Sequence, residues 1–254
     1  MVLELSSSDE RDTVQAEFER AAKTFAQRTA GRFDQMDVAR FSGVAPGATV
    51  LEVGAGTGNF LALFDDGTRR LVAVDVTAAM LLHARDRYPA MELIVADGAA
   101  LPVAARSVDL VASAQALHHI REPLRVVKEM RRAVTLDGAV LIVDQVATER
   151  MEEAVMMNRL DRLRDPSHAG CRPPSALRIM VRAAGLEIEA EEIHESIERL
   201  STWMSPEEFP EERIAAVERF VADHGAETGM QFEKDSDDWI YTRQRMMILA
   251  RRAA

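Results

Sequence analysis

The residues most able to do chemistry gather around three glycines at alternate positions, Gly54, Gly56 and Gly58, with the carboxylate of Glu52 just ahead of them. Glycines there permit a tight turn and let a ligand approach bare backbone, and a helix opening behind them offers unpaired amide donors. The dinucleotide fingerprint G-x-G-x-x-G would need a third glycine where the chain has Asn59. No Gly-Lys-Ser/Thr follows, so the loop is not a Walker-type phosphate cradle. Glu52 suits a cationic ammonium better than a pyrophosphate. The loop is shaped for a nucleoside ligand that carries no phosphate.

Two further carboxylates fall at matching points. Asp75 closes the apolar run Leu71–Val74 and lies 23 residues beyond Glu52, a place where an acid can accept both ribose hydroxyls. Asp97, followed by Gly98, comes after the run Glu92–Val95, where a carboxylate can accept a hydrogen bond from an adenine amino group. Each acid alone could be a strand-end cap. Three of them at the ends of successive parallel strands face one crevice.

The elements that must position these groups are legible as short apolar runs separated by helical stretches. Strands are expected at Thr49–Val53, Leu71–Val74, Glu92–Val95, Val108–Ser113 and Ala139–Val143, with helical spacing in Phe60–Phe64, Ala78–Arg87 and Leu124–Val134. Nearly continuous apolar strands alternating with helices indicate a parallel sheet covered on both faces. Asp137-Gly138 is expected to separate the Leu124–Val134 helix from the fifth strand. The first forty residues read as an amphipathic helix through Val14, Phe18, Ala21, Ala22 and Phe25. Beyond Asp144 come helices at Met151–Leu163, Ser175–Ala184 and Glu211–His224, with Gly185 as a C-cap, a half-exposed strand from Leu186 to Ala190, and a last strand at Arg245–Ala250.

Together, Glu-Val-Gly-Ala-Gly-Thr-Gly at 52–58, Val-Asp-Val-Thr-x-x-Met at 74–80 and Ala-Asp-Gly-x-x-Leu-Pro at 96–102 resemble the class I S-adenosylmethionine-dependent methyltransferases. Within them the chain is similar to the ubiquinone/menaquinone-biosynthesis-type small-molecule group, to which Val108-Asp109-Leu110-Val111 and Leu117-His118-His119-Ile120 also fit. Leu136-Asp137-Gly138 stands where that group more often has Pro-Gly-Gly. The resemblance covers residues 14–147 and is diffuse after them, although Arg164-Asp165-Pro166-Ser167-His168 is similar to a segment of many bacterial members.

The resemblance implies an α/β fold: a doubly wound, Rossmann-like, mostly parallel seven-stranded sheet with helices on both faces and a helical cover. It implies a single methyltransferase domain over 1–254, with an N-terminal helical cover (1–45), a cofactor-binding core (46–147), and a substrate cover with C-terminal strands (148–254). Carried over by position, Glu52 and the backbone of Gly54, Ala55, Gly56, Thr57 and Gly58 would take the methionine portion of S-adenosyl-L-methionine. Asp75 would take the ribose hydroxyls, Val76 would flank the adenine, Asp97 and Gly98 would read its edge, and Ala114 would line the methionine side. Phe25 stands where relatives often have a tyrosine, so a hydroxyl contact is lost and an apolar cover is expected.

Methyl transfer from a sulfonium is an in-line displacement, so the protein mainly aligns the partners and excludes water. An oxygen or carbon acid additionally needs a base, and histidine is the natural type near neutral pH. His119 is the first candidate, His168 the second and His118 the third; each has an ordinary structural reading beside the catalytic one. A metal site is not expected, because the histidines lack ligand spacing and Cys171 is the single cysteine. Met156, Met157, Leu160, Leu163, Trp203, Met204 and Phe209 could line an acceptor pocket, against the plainer reading of helix core.

Composition narrows the partners. A net charge of −11, with both halves acidic, argues against nucleic acid or an anionic membrane surface as a partner. No run reaches the ~18 apolar residues of a membrane helix, and the polar start does not read as a secretory leader, so a cytoplasmic location is expected. Three lysines against 28 arginines suggest a GC-rich bacterial genome. The expected partner is a small-molecule methyl acceptor, with the chain a monomer or homodimer. A protein that binds S-adenosylmethionine without transferring methyl, in regulation or in catalysis of a rearrangement, is the alternative. Nucleic-acid methylation, arsenic methylation and nicotinamide oxidoreduction are disfavoured by the charge, the lone cysteine and the glycine spacing.

Overall fold

Alternation along the strands sets the layers of the molecule. The computed structural model describes residues 31–33, 36–205 and 209–253; the expected helix through Val14 and Phe25 lies outside them. Strand β1 (Thr49–Val53) sends Leu51 and Val53 to one face of the sheet and Val50 to the other. β2 (Arg70–Asp75) divides likewise, Val72 and Val74 against Leu71 and Ala73. With β3 (Glu92–Val95), β4 (Val108–Ala114) and β5 (Val134–Gln145) these strands pair in parallel. β8 (Asp238–Arg252) runs antiparallel between β5 and β6 (Leu186–Arg199), giving the order β3-β2-β1-β4-β5-β8-β6.

The doubly wound, mostly parallel α/β fold is as expected, with seven strands on the main path. An eighth, β7 (Glu233–Asp235), pairs with β8 off that path. Strand order reverses beside β1, between β2 and β4, which opens a crevice at the carboxyl ends of those strands.

On one face pack α3 (Pro123–Ala133), through Val126, Val127 and Met130, and α5 (Pro174–Ala183), through Leu177 and Val181. Both begin with proline, whose fixed φ and missing N–H cost nothing in a first turn. On the other face lie Leu81 of α2 (Ala78–Arg87), Val38 of the short α1 (Val38–Ser42), and Phe60, Leu61 and Phe64 around a single 3-10 turn. A third cluster joins α4 (Met151–Arg164), α6 (Leu200–Trp203) and α7 (Glu211–His224) to Tyr241 of β8.

Two expectations are corrected and a third is decided between its readings. β5 begins at Val134 rather than Ala139, because Thr135–Gly138 loop out where the pairing shifts between Val108↔Val134 and Leu110↔Ala139. β6 and β8 are far longer than read, since they stabilise each other along thirteen paired positions that no single-strand pattern reveals. Met157, Leu160, Met204 and Phe209 are buried in the third cluster with Met156 and Trp203 packed on it, while Leu163 is exposed. For all but Leu163 the plainer reading of helix core holds. Among the described residues no helix is long and apolar enough to cross a membrane.

Candidate functional site

Beyond Val53 the chain turns through Gly54, Gly56 and Gly58 at φ +74°, +53° and +77°. The Gly54 and Ala55 amides donate to the Val74 carbonyl at 2.8 and 3.0 Å, which ties the loop to β2. A Cβ at position 54 would lie 2.5 Å from that of Ala116, so the left-handed turn is also a close approach. Gly58 is different. A Cβ there would meet Met91, Tyr88 and Ala84 at 3.1–3.3 Å, so it seats the loop against α2 and stands behind the cavity.

The loop walls a cavity of about 460 Å³ lined by Glu52, Gly54, Ala55, Gly56, Thr57, Asp75, Val76, Asp97, Gly98, Ala114 and His119. Every expected cofactor residue in the described part therefore converges there except Gly58; Phe25 lies outside the described residues. Asp75 Oδ2 accepts from the Gly56 amide at 2.8 Å and Oδ1 from the Thr77 amide at 2.8 Å, so it braces the loop as well as facing the cavity. Asp97 Oδ1 accepts from the Ala99 amide at 2.8 Å. Gly98 passes so near Val53 that a Cβ would sit 2.6 Å from its Cγ1. Phe33 and Phe60 meet edge to face at 4.9 Å in the same wall.

Two buried polar atoms here have no hydrogen-bond partner among the described residues: Glu52 Oε2 and Gln115 Nε2, one an acceptor and one a donor. Burial drives the Glu52 carboxyl well above its usual range, the neighbouring Asp75 charge adds to the push, and the Leu61 amide opposes it. Leaving such groups unmatched is costly unless a ligand completes them. Gln115 escaped the sequence reading because its signal is conformational: it holds φ +53°, rare for a side-chain-bearing residue.

The three candidate histidines come together, with ring centroids 4.2 Å apart for His118 and His119, 5.6 Å for His118 and His168, and 6.3 Å for His119 and His168. Only His119 lines the cavity. His118 is buried, its Nδ1 2.5 Å from Asp144 Oδ1 and its amide donating to Oδ2 at 3.0 Å. Burial pushes Asp144 up to about 7 and His118 well down, so it disfavours charge on both partners of this contact. His168 is buried with Nε2 2.8 Å from Asn158 Oδ1, and burial takes it down to about 3. Both stand away from the cavity, which corrects the expectation that they could act on a ligand there.

Asp161, His168 and Cys171 place ligand-type atoms within 4.8 Å of one another. Asp161, however, receives two hydrogen bonds from the Arg243 guanidinium, at 3.0 and 3.2 Å. Its charge is met by that cation, and burial drives the Cys171 thiol up, away from the thiolate a metal requires.

Comparison with known proteins adds a family to this geometry. The family described as "Methyltransferase domain" matches residues 51–142. The chain is 38% identical over 101 residues to the demethylmenaquinone methyltransferase of Renibacterium salmoninarum, covering 40% of this chain and 42% of that one. It is 33% identical over 124 residues to the uncharacterized methyltransferase YcgJ of Bacillus subtilis, covering 47% and 49%. The solved YcgJ structure superposes with a TM-score of 0.78 at 21% identity, over 85% of this chain and 97% of that one. The chain thus spans under half the length of these curated relatives, while the fold is shared almost throughout.

Proposed function

We propose, from a core whose residues 51–142 belong to a methyltransferase-domain family, that this protein transfers a methyl group from S-adenosylmethionine to a small-molecule acceptor. The observation that carries the reading is the pair of unmatched buried groups in the cavity, Glu52 Oε2 and Gln115 Nε2. An amino-acid end, with its ammonium and carboxylate, supplies the donor that Glu52 needs and the acceptor that Gln115 needs. Asp75 would then hold the ribose hydroxyls, Val76 and Asp97 the adenine, and Gly98 the room for it. Ala114 and the backbone of Gly54–Gly58 would bound the methionine chain. When bound, S-adenosylmethionine supplies a methyl on a sulfonium, open to in-line displacement.

The chain's own residues align the acceptor, exclude water and remove a proton. His119 is the candidate base, and a base is of use only to an acceptor that loses a proton, such as a phenolic hydroxyl or an acidic ring carbon. A hydroquinone-like ring is the first class to test, given the demethylmenaquinone methyltransferase among the relatives. We take the chain to work as one domain, with 148–254 covering the 46–147 core, in the cytoplasm of a bacterium and without a nucleic-acid partner.

The test is release of S-adenosylhomocysteine from S-adenosylmethionine across a library of phenols, hydroquinones and carbon acids. We expect one class to react, with turnover in His119→Ala reduced at least ~100-fold and cofactor affinity unchanged. A protein that binds S-adenosylmethionine yet methylates nothing in the library would turn the reading toward binding without transfer.

A further inference from the structure

We propose that Asp165 and Ser167 are positioning residues that fix the tautomer of His119, keeping the proton on Nδ1 and the lone pair on Nε2; the inference rests on the methyl-transfer reading only for what that lone pair is used on. The neighbours of Nδ1 carry the assignment. His119 Nδ1 lies 3.0 Å from Ser167 Oγ, and Ser167 Oγ donates its single proton to Asp165 Oδ1 at 2.6 Å. The hydroxyl can therefore only accept from the imidazole. The Ser167 carbonyl oxygen, an acceptor by nature, stands 3.4 Å from the same Nδ1. Both neighbours call for an N–H there, and the hydrogen bond made by one ring nitrogen decides which carries the proton.

The chain Asp165–Ser167–His119 is held rigidly. Asp165 Oδ1 also accepts from the Ser167 amide at 2.9 Å, which closes a tight turn around Pro166. The following residues are clamped to the turn that carries His119. Ala169 and Gly170 amides both donate to the His118 carbonyl at 2.9 Å, and Arg172 reaches the Leu117 and Ile120 carbonyls at 3.1 and 3.0 Å. Burial pushes the Asp165 carboxyl up, but the His119 charge, the Ser167 hydroxyl and Arg164 outweigh it and bring it down to about 2. Asp165 is thus a fixed anion, reached by His119 through one hydroxyl.

In the reaction, the acceptor's O–H or C–H proton would pass to His119 Nε2 as the acceptor's electron pair takes the methyl, the methyl–sulfur bond breaking with its pair to sulfur so that neutral S-adenosylhomocysteine leaves. The imidazolium that forms then donates through Nδ1 to Ser167, with the Asp165 charge behind it, and the proton returns to water after the product leaves. Orientation and tautomer by a buried acid is the logic of other base–orienter pairs, here with a hydroxyl between acid and base.

The experiment is nitrogen-15 NMR of the full chain labelled at histidine, with S-adenosylhomocysteine added, at a pH where the imidazole is neutral; His119→Asn assigns the signal. The expected spectrum shows His119 with a protonated Nδ1 and a pyridine-like Nε2. Ser167→Ala and Asp165→Asn should move it toward the Nε2–H form that unconstrained imidazole prefers, and Ser167→Thr should restore the original. An Nε2–H tautomer in the unaltered protein, or a tautomer indifferent to Ser167→Ala or to Asp165→Asn, would overturn the proposal. The readout needs no turnover. A spectrum as expected in a protein that methylates no acceptor would keep the relay and discard the methyl-transfer reading.

Discussion

At the scale of single residues, Asp75 both faces the cavity and braces the loop that walls it, accepting from the Gly56 and Thr77 amides. Asp75→Ala should therefore weaken S-adenosylmethionine binding at least ~10-fold, about 1.4 kcal/mol, and also loosen the glycine loop, seen as faster amide exchange at Gly56 and Thr77. Asp165 offers a test by acidity. Its folded pKa of about 2 lies below the ordinary 3.8, so its stabilisation is present above about pH 4 and is lost as pH falls toward 2. The contribution is about 2 kcal/mol. Urea midpoints of the parent and Asp165→Asn should differ at pH 6 and converge near pH 2; a constant difference would contradict the assignment.

At the scale of elements, the turn after β1 is the most demanding construction. Gly54→Ala would place a methyl at φ +74° and 2.5 Å from the Ala116 Cβ. We expect a loss of ~1–3 kcal/mol from the strained backbone alone, with cofactor binding reduced further; a thermal-shift assay with and without S-adenosylhomocysteine checks both. This turn was legible because glycine spacing, strand and acid all lie within ten residues. Strands β1, β2 and β4 were legible for a related reason: buried on both faces, they are written as apolar runs. What could not be read depended on distant partners. The bulge of Thr135–Gly138 is set by β4, and the length of β6 by β8. The role of Ser167 appears only when a loop from the cover meets the turn after β4. The plainer reading of helix core holds for Met156, Met157, Trp203 and Met204, which join a core of their own rather than the cavity.

At the scale of the whole molecule, a buried ion pair locks the helical cover to the sheet. Arg243 of β8 and Asp161 of α4 are almost wholly buried and meet at 3.0 Å. Arg243→Met should cost ~3–5 kcal/mol by stranding the Asp161 charge, and adding Asp161→Leu should recover much of it; chemical denaturation of both variants decides this. The acidity noted in the sequence also acquires a place. Six glutamates belong to β6, the strand at the end of the sheet order, where they blunt an exposed edge rather than face an acceptor. The central claim is that the crevice beside β1 receives S-adenosylmethionine through Glu52. Burial disfavours the ionised form of that carboxyl and an arriving ammonium favours it, so binding is coupled to release of the proton that burial favours and weakens as pH falls. Calorimetric titration of S-adenosylmethionine in buffers of different ionisation enthalpy measures this directly. The account predicts one site, proton release, and loss of both the release and at least ~10-fold of the affinity in Glu52→Gln; an absence of binding, or equal binding by the variant, would contradict it.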